Sequence, residues 1–222
     1  MAGKRGKTET ERLGLILKTL KAGGPSVTPG LDYRSPWEML VATVLSAQCT
    51  DARVNKVTPS LFRRWKGPEE LMGADAGEVE DAVKTCGLYR TKAKNLIFLA
   101  GIVVREHGGK VPVEREALES LPGVGRKTAS VVLSQAFGKP AFAVDTHVGR
   151  VSMRLGFSST REPLAVERAM TALMPPEAYR EAHLLLIRHG REVCVARKPH
   201  CRDCPVASLC PFPADSKTGR GR

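Results

Sequence analysis

Leu121-Pro-Gly-Val-Gly-Arg-Lys-Thr-Ala-Ser-Val-Val-Leu133 decides how this chain is read. Just before it, Ala117, Leu118 and Leu121 make the apolar side of a short helix. Pro122-Gly-Val-Gly125 interrupts that pattern, and Ala129, Val132, Leu133, Ala136 and Phe137 then resume it at helical spacing. The reading is helix, tight turn, helix. The two glycines permit a sharp turn and close backbone approach, and the second helix begins with unpaired N–H groups at its positive dipole end. A structural turn between packed helices gives the same Gly-Val-Gly pattern, but the full string in a basic protein points to a grip on DNA backbone through Gly123 and Gly125. Lys127 falls in the first turn of the second helix beside Arg126, where a cation is disfavoured. Position alone allows two roles for it, a nucleophilic amine or a phosphate contact.

Working outward, the rest of the chain is helical too. Ser35-Pro36-Trp37-Glu38 reads as a capping box with proline at the first helical position, and it opens an apolar run to Leu45 that predicts a central helix. Asp75 with Glu78 predicts another start and Gly87 its stop. Ala93, Leu96, Ile97, Ala100 and Val104 then predict one buried face up to Gly108-Gly109. Further starts are expected at Asp51, Glu162-Pro163 and Pro175-Pro176-Glu177. There is no sustained period-two alternation and aromatics are 5% of the chain, so the fold class is all-α. Met1 to about Thr10 and Pro213 to Arg222 are polar or glycine-rich and are expected to be disordered.

With 222 residues the chain can form one or two domains with a sizeable core. Its formal charge of +12 makes nucleic acid the leading partner. Basic residues also gather late: from Arg188 to Arg222 there are eight basic and three acidic residues. A solvated basic surface with no partner is the bland alternative. The first twelve residues alternate charge where a secretory signal needs an apolar stretch. The longest apolar run, Leu96 to Val104, is far short of the ~20 residues that span a bilayer. Neither export nor a membrane is expected.

Cys194, Cys201, Cys204 and Cys210 cluster near the C-terminus. Four thiolates on short loops can wrap a metal centre. Zinc ribbons usually bring two close Cys-x-x-Cys pairs, and only Cys201 and Cys204 form one here, so an iron–sulfur cluster is the better fit. Two disulfides or four ordinary buried thiols are the alternatives. Asp145 follows Phe142-Ala-Val144 and is placed to cap the next helix, at the edge of the core.

Leu121 to Leu133, Ala143-Val-Asp-Thr-His-Val-Gly-Arg-Val151 and the four spaced cysteines, in this order, resemble the bacterial endonuclease III family. Ser46-Ala-Gln-Cys-Thr-Asp51 and Cys86-Gly-Leu-Tyr-Arg-Thr-Lys-Ala93 strengthen the resemblance, which covers the chain from about Thr10 to Phe212. It implies two helical domains with the active-site cleft between them. One is a six-helix barrel at residues 29–139 that contains the helix-hairpin-helix. The other joins residues 1–28 to 140–222 and holds one four-iron four-sulfur cluster.

The family removes oxidised pyrimidines from damaged double-stranded DNA and nicks the strand. By resemblance Lys127 attacks C1′ of a flipped nucleotide, a Schiff base promotes β-elimination, and Asp145 stabilises charge and assists proton transfer. Gln48 and Leu88 match positions that enter the duplex, although Gln48 could equally cap a helix and Leu88 could be core. Arg197 and Lys198 are expected to meet phosphates. A cytoplasmic, nucleoid-associated monomer is implied.

Cys49 stands where alanine is frequent in the family and Met153 where asparagine is common. Both leave substrate range open, as does His147, which could line the pocket or simply pack. Two rivals are a monofunctional mismatch glycosylase of the same fold, which has no need of Lys127, and a non-catalytic iron–sulfur redox sensor that binds DNA, which needs neither Lys127 nor Asp145.

Overall fold

The computed structural model describes residues 8–212. Among them there are α-helices and short 3-10 turns but no strand. They form two compact units, Pro29–Lys139 and the segments on either side of it.

In the first unit, the seven helices are α2 (Pro36–Ser46), α3 (Asp51–Arg64), α4 (Pro68–Met72), α5 (Ala76–Val83), α6 (Tyr89–His107), α7 (Arg115–Glu119) and α8 (Arg126–Ala136). The apolar run sends α2 to the centre. Met39 to Leu45 are all buried, and α2 packs on α3, α6 and α8. Truncating a side chain such as Leu40 or Leu45 there would cost about 2–5 kcal/mol, as cavities in such sites do. Ser35 caps α2 by accepting from the Glu38 N–H at 3.2 Å, and Pro36 is the first helical residue. The expected capping box closes only by half. The Glu38 carboxylate accepts from the Arg34 N–H at 2.7 Å, one residue beyond the cap.

Asp75 caps α5 as expected, but that helix ends at Val83, before Gly87. Asp51 is the first helical residue of α3, with Thr50 as its cap. On α6 the fully buried face is Ala93, Leu96, Leu99, Ala100 and Val103. Ile97 and Val104, expected on that face, are only half-buried. The helix carries a second apolar row through Leu99 and Val103 that packs more deeply.

The second unit comprises α1 (Glu9–Ala22), α9 (Thr146–Arg154), α10 (Pro163–Thr171) and α11 (Tyr179–Glu192). Leu13, Ile16 and Leu20 of α1 join Phe142, Val148, Val151, Val166, Met170, Leu185 and Leu186 in one core. Arg12 then fastens α1 to the distant C-terminal segment, donating to the Leu155 carbonyl at 2.7 Å and the Leu209 carbonyl at 3.0 Å. Thr8 to Thr10 are ordered, contrary to the expectation for that end. Thr8 and Glu11 form a reciprocal capping box that starts α1 at Glu9. The remainder of both tails lies outside the described residues. Among the described residues, no helix is long and apolar enough to cross a membrane.

Candidate functional site

The hairpin between α7 and α8 has its glycines in different roles. Gly123 has φ +80°, and a Cβ there would stand 2.9 Å from Asn95 Nδ2. Both conformation and space therefore require glycine at Gly123. Gly125 has φ −93° and ψ 177°, and a Cβ on it would meet nothing within 4 Å. The sharp turn that the two glycines were expected to permit therefore takes its positive φ from Gly123 and not from Gly125. Gly125 is exposed, is the N-cap of α8, and leaves that first turn without a side-chain cap. An uncapped, exposed helix start of this kind can receive an anion.

Lys127 is exposed in that first turn and makes no ion pair with any described residue. Its neighbour differs, for Arg126 reaches Glu119 at 4.0 Å.

Gln48 and Leu88 are brought together. Gln48 follows the end of α2 with φ 53°, and Leu88 precedes α6 with φ 58°. The gap between their turns is small: a Cβ on Gly87 would lie 3.2 Å from the Gln48 carbonyl oxygen. Leu88 is 59% exposed, which removes the possibility that it is a core residue. The helix-end cap is Ala47 and not Gln48. Gln48 and Leu88 share their conformation with Lys198 at φ 54°, and among the described residues these are the three non-glycine positions with positive φ. A left-handed L-residue costs roughly 1–2 kcal/mol, and such costs cluster where a side chain must be presented in one direction. All three belong to the set expected to touch DNA.

Asp145 caps α9, accepting from the Val148 N–H at 2.8 Å through Oδ1. Capping occupies one carboxylate oxygen, and the second makes no hydrogen bond among the described residues. His147 packs: its Nδ1 lies 3.1 Å from an Arg150 guanidinium nitrogen. Asp145 and Lys127 belong to different units.

The far end of α9 runs to the cysteines. Cys194, Cys201, Cys204 and Cys210 line one cavity of about 320 Å³ including its mouth, walled by Arg154, Leu155, His189, Val193, Pro199, Val206 and Phe212. Among the described residues no three His, Cys, Asp or Glu side chains converge closely enough to grip a single metal ion. All four cysteines line this one cavity, and four such soft donors can hold a metal centre. Burial pushes the Cys204 and Cys210 thiols above their ordinary range. Only a positive centre makes several thiolates tolerable at such depth.

Two buried arginines complete the setting, and sequence reasoning missed both. Arg154 is 8% exposed and donates to Cys194 Sγ at 3.4 Å, the Val195 carbonyl at 2.7 Å and the Ala196 carbonyl at 2.9 Å. Its Nε is buried without a partner, a spare donor beside sulfurs that carry negative charge once they hold a metal. Arg150 donates to the Cys194 carbonyl at 3.0 Å and the Gly190 carbonyl at 2.7 Å. The signal available was their four-residue spacing beside the buried Val151–Leu155 stripe, which places both on the packed side of α9. Arg197 and Lys198 lie exposed on the loop between Cys194 and Cys201.

Residues 41–176 match the family described as HhH-GPD superfamily base excision DNA repair protein. Endonuclease III of Synechocystis sp. is 46% identical over 205 residues, covering 92% of this chain and 94% of that protein. Endonuclease III of Bacillus subtilis is 48% identical over 181 residues, covering 81% and 83%. A solved structure of a trapped endonuclease III–DNA covalent intermediate superposes with a TM-score of 0.87 at 42% identity, covering 93% of this chain and 97% of that one. The chain belongs to the HhH-GPD superfamily of base excision DNA repair proteins and, within it, to the endonuclease III family.

Proposed function

We propose that this DNA glycosylase/AP lyase removes oxidised pyrimidines from duplex DNA with Lys127 as its nucleophile, and then nicks the strand by β-elimination. The observation that carries this reading is an exposed lysine, without an ion-pair partner among the described residues, beside an uncapped helix start in a chain of this family. The hairpin backbone at Gly123 and Gly125 receives a phosphate, which brings a sugar to the amine. Lys127 Nζ, once deprotonated, attacks C1′ of the flipped nucleotide, the C1′–N bond breaks, and the base leaves with the electron pair. Asp145 stabilises positive charge growing on the sugar and assists proton transfer with the carboxylate oxygen not used for capping. The amine explains the second step, since a Schiff base at C1′ acidifies the adjacent C2′ hydrogen and expels the 3′ phosphate. Activated water offers no such route.

Gln48 fills the vacancy left by the flipped base and Leu88 wedges the opposite strand, each side chain aimed by its left-handed backbone. Cys194, Cys201, Cys204 and Cys210 hold one four-iron four-sulfur cluster. When bound, the cluster ties these cysteines together and supplies structure, not bond-making. Arg197 and Lys198, on the loop so fixed, pair with backbone phosphates. The protein works as a monomer on nucleoid DNA.

Single-turnover excision from a duplex carrying an oxidised thymine tests this reading. The wild type is expected to release the base and nick. Lys127→Gln is expected to lose at least about a thousandfold in release, as loss of a nucleophile does, while keeping its affinity for the duplex. Near wild-type release by Lys127→Gln would favour a water-activating glycosylase instead.

A further inference from the structure

Beneath the two left-handed turns lie two cysteines that the proposed chemistry does not use. Cys49 follows Gln48 and is half-buried, while Cys86 precedes Gly87-Leu88 and is fully buried. Although far apart in sequence, they stand next to each other at the roots of two turns that approach closely, and their side chains are neighbours. Each is a free thiol, separate from the four that line the cluster cavity. The backbones above them have little slack, given the 3.2 Å approach between the Gln48 carbonyl and a Cβ position on Gly87. Lys92 stiffens the same place from below. Its buried ammonium donates to the Leu45 carbonyl at 2.9 Å and fixes the last turn of α2, from which the Gln48 turn departs.

We propose that Cys49 and Cys86 form an oxidative modification site, which a hydroperoxide converts into a disulfide that ties the Gln48 turn to the Leu88 turn. The modification follows from the close approach of the turns that carry the two cysteines; its effect on excision rests on the reading of Gln48 and Leu88 as residues that enter the duplex. Cys49 reacts first, because it is the more accessible sulfur. Burial, followed by the neighbouring Cys49 sulfur, pushes Cys86 up to about 11, so Cys86 stays protonated and does not meet the peroxide first; its place beside Cys49 is what makes it the resolving sulfur. The Cys49 thiolate attacks the peroxide oxygen, the O–O bond breaks, and Cys49 sulfenic acid forms with loss of one alcohol or water. The Cys86 sulfur then attacks the Cys49 sulfur and an S–S bond forms. The sulfenic oxygen departs as water, carrying the Cys86 proton. Two thiols are oxidised and one peroxide is reduced. Closing the sulfurs to a bond of about 2 Å pulls both turns inward, and two inserting side chains then lose their register.

The test uses the cluster-bearing protein, treated with hydrogen peroxide and digested with trypsin with the remaining thiols blocked. The expected product is peptide 35–53 joined to peptide 85–90, about 2 Da lighter than the two reduced peptides together and separated again by dithiothreitol. Excision from paired duplex is expected to fall at least about tenfold on oxidation, as it does when reacting groups are misplaced by an ångström, and to recover with dithiothreitol. Cys49→Ala, exposed to the same oxidant and so to the same risk to its cluster, is expected to form no such cross-link and to keep its excision rate. Absence of the joined peptides, or Cys49 carried on to sulfinic acid with Cys86 untouched, would overturn the proposal. A cross-link that leaves excision unchanged would overturn its effect on the turns. Gln48→Ala, assayed beside it without oxidant, tests the insertion reading separately, so the two failures are distinguishable.

Discussion

Replacing each hairpin glycine by alanine separates what the fold requires from what DNA requires. In Gly123→Ala the new residue must keep φ +80°, and its methyl group must displace Asn95 Nδ2 from 2.9 Å. The left-handed conformation costs roughly 1–2 kcal/mol for an L-residue, and an Asn95 side chain pushed off its rotamer adds about 0.5–1.5 kcal/mol. Together these give about 1.5–3.5 kcal/mol, or ~3–14 °C in melting temperature for a chain of this size. In Gly125→Ala neither term exists, because φ is −93° and the Cβ meets nothing. Alanine is a poorer N-cap than glycine, but it also has less freedom to lose on folding, and the two effects offset to within about 0.5 kcal/mol. A thermal melt of the cluster-bearing protein is therefore expected to drop for Gly123→Ala and stay level for Gly125→Ala. Titration with undamaged duplex is expected to show the reverse emphasis, a loss for Gly125→Ala at full stability, because the methyl group stands where a phosphate has to approach. Wild-type affinity in a stable Gly125→Ala protein would refute the assignment of this corner as the phosphate grip.

Asp145→Asn keeps a capping side chain, so stability is expected to hold while base removal slows more than nicking at a preformed abasic site; single-turnover rates on the two substrates check this. Arg197→Ala is expected to weaken damaged and undamaged duplex alike and to make the salt dependence shallower by about one phosphate contact, read from binding at several ionic strengths. Lys198→Gly is expected to lose the same contact yet gain roughly 1 kcal/mol in stability by relieving φ 54°, which a denaturant melt beside the binding assay would show. Cys201→Ser is expected to lower iron content and soluble yield before it lowers the activity of whatever remains folded, since the metal closes its loop only in the native state; iron analysis and fractionation measure both.

The helices were legible because their signals are local. Ser35, Asp75 and Glu162 cap the helices that they were expected to cap, and the run from Met39 to Leu45 is buried as its composition requires. What failed was one step less local. Glu38 had two backbone donors within reach and took the outer one, and α6 turned a different row inward because its neighbours select among overlapping apolar rows. The Gly-Val-Gly corner was readable as a turn, but the pattern does not tell which glycine carries the positive φ, nor that Asn95, far away in the chain, leaves no room for a Cβ on Gly123. Left-handed Gln48, Leu88 and Lys198 have no mark in composition, because nothing about glutamine, leucine or lysine predicts that conformation. Arg150 and Arg154 read as surface charge until their acceptors, the carbonyls around Cys194, are folded against them. The Cys49–Cys86 contact needs the whole first unit to form.

The central claim is that Lys127 is the nucleophile, and the direct measurement is borohydride reduction during turnover of a duplex with an oxidised thymine, followed by sequencing of the adduct. A Schiff base is reduced in place, so the DNA fragment marks the amine that attacked. One protein–DNA adduct is expected, carried on Lys127 Nζ and absent from Lys127→Gln. Base release without any adduct, or an adduct carried on another amine, would contradict it.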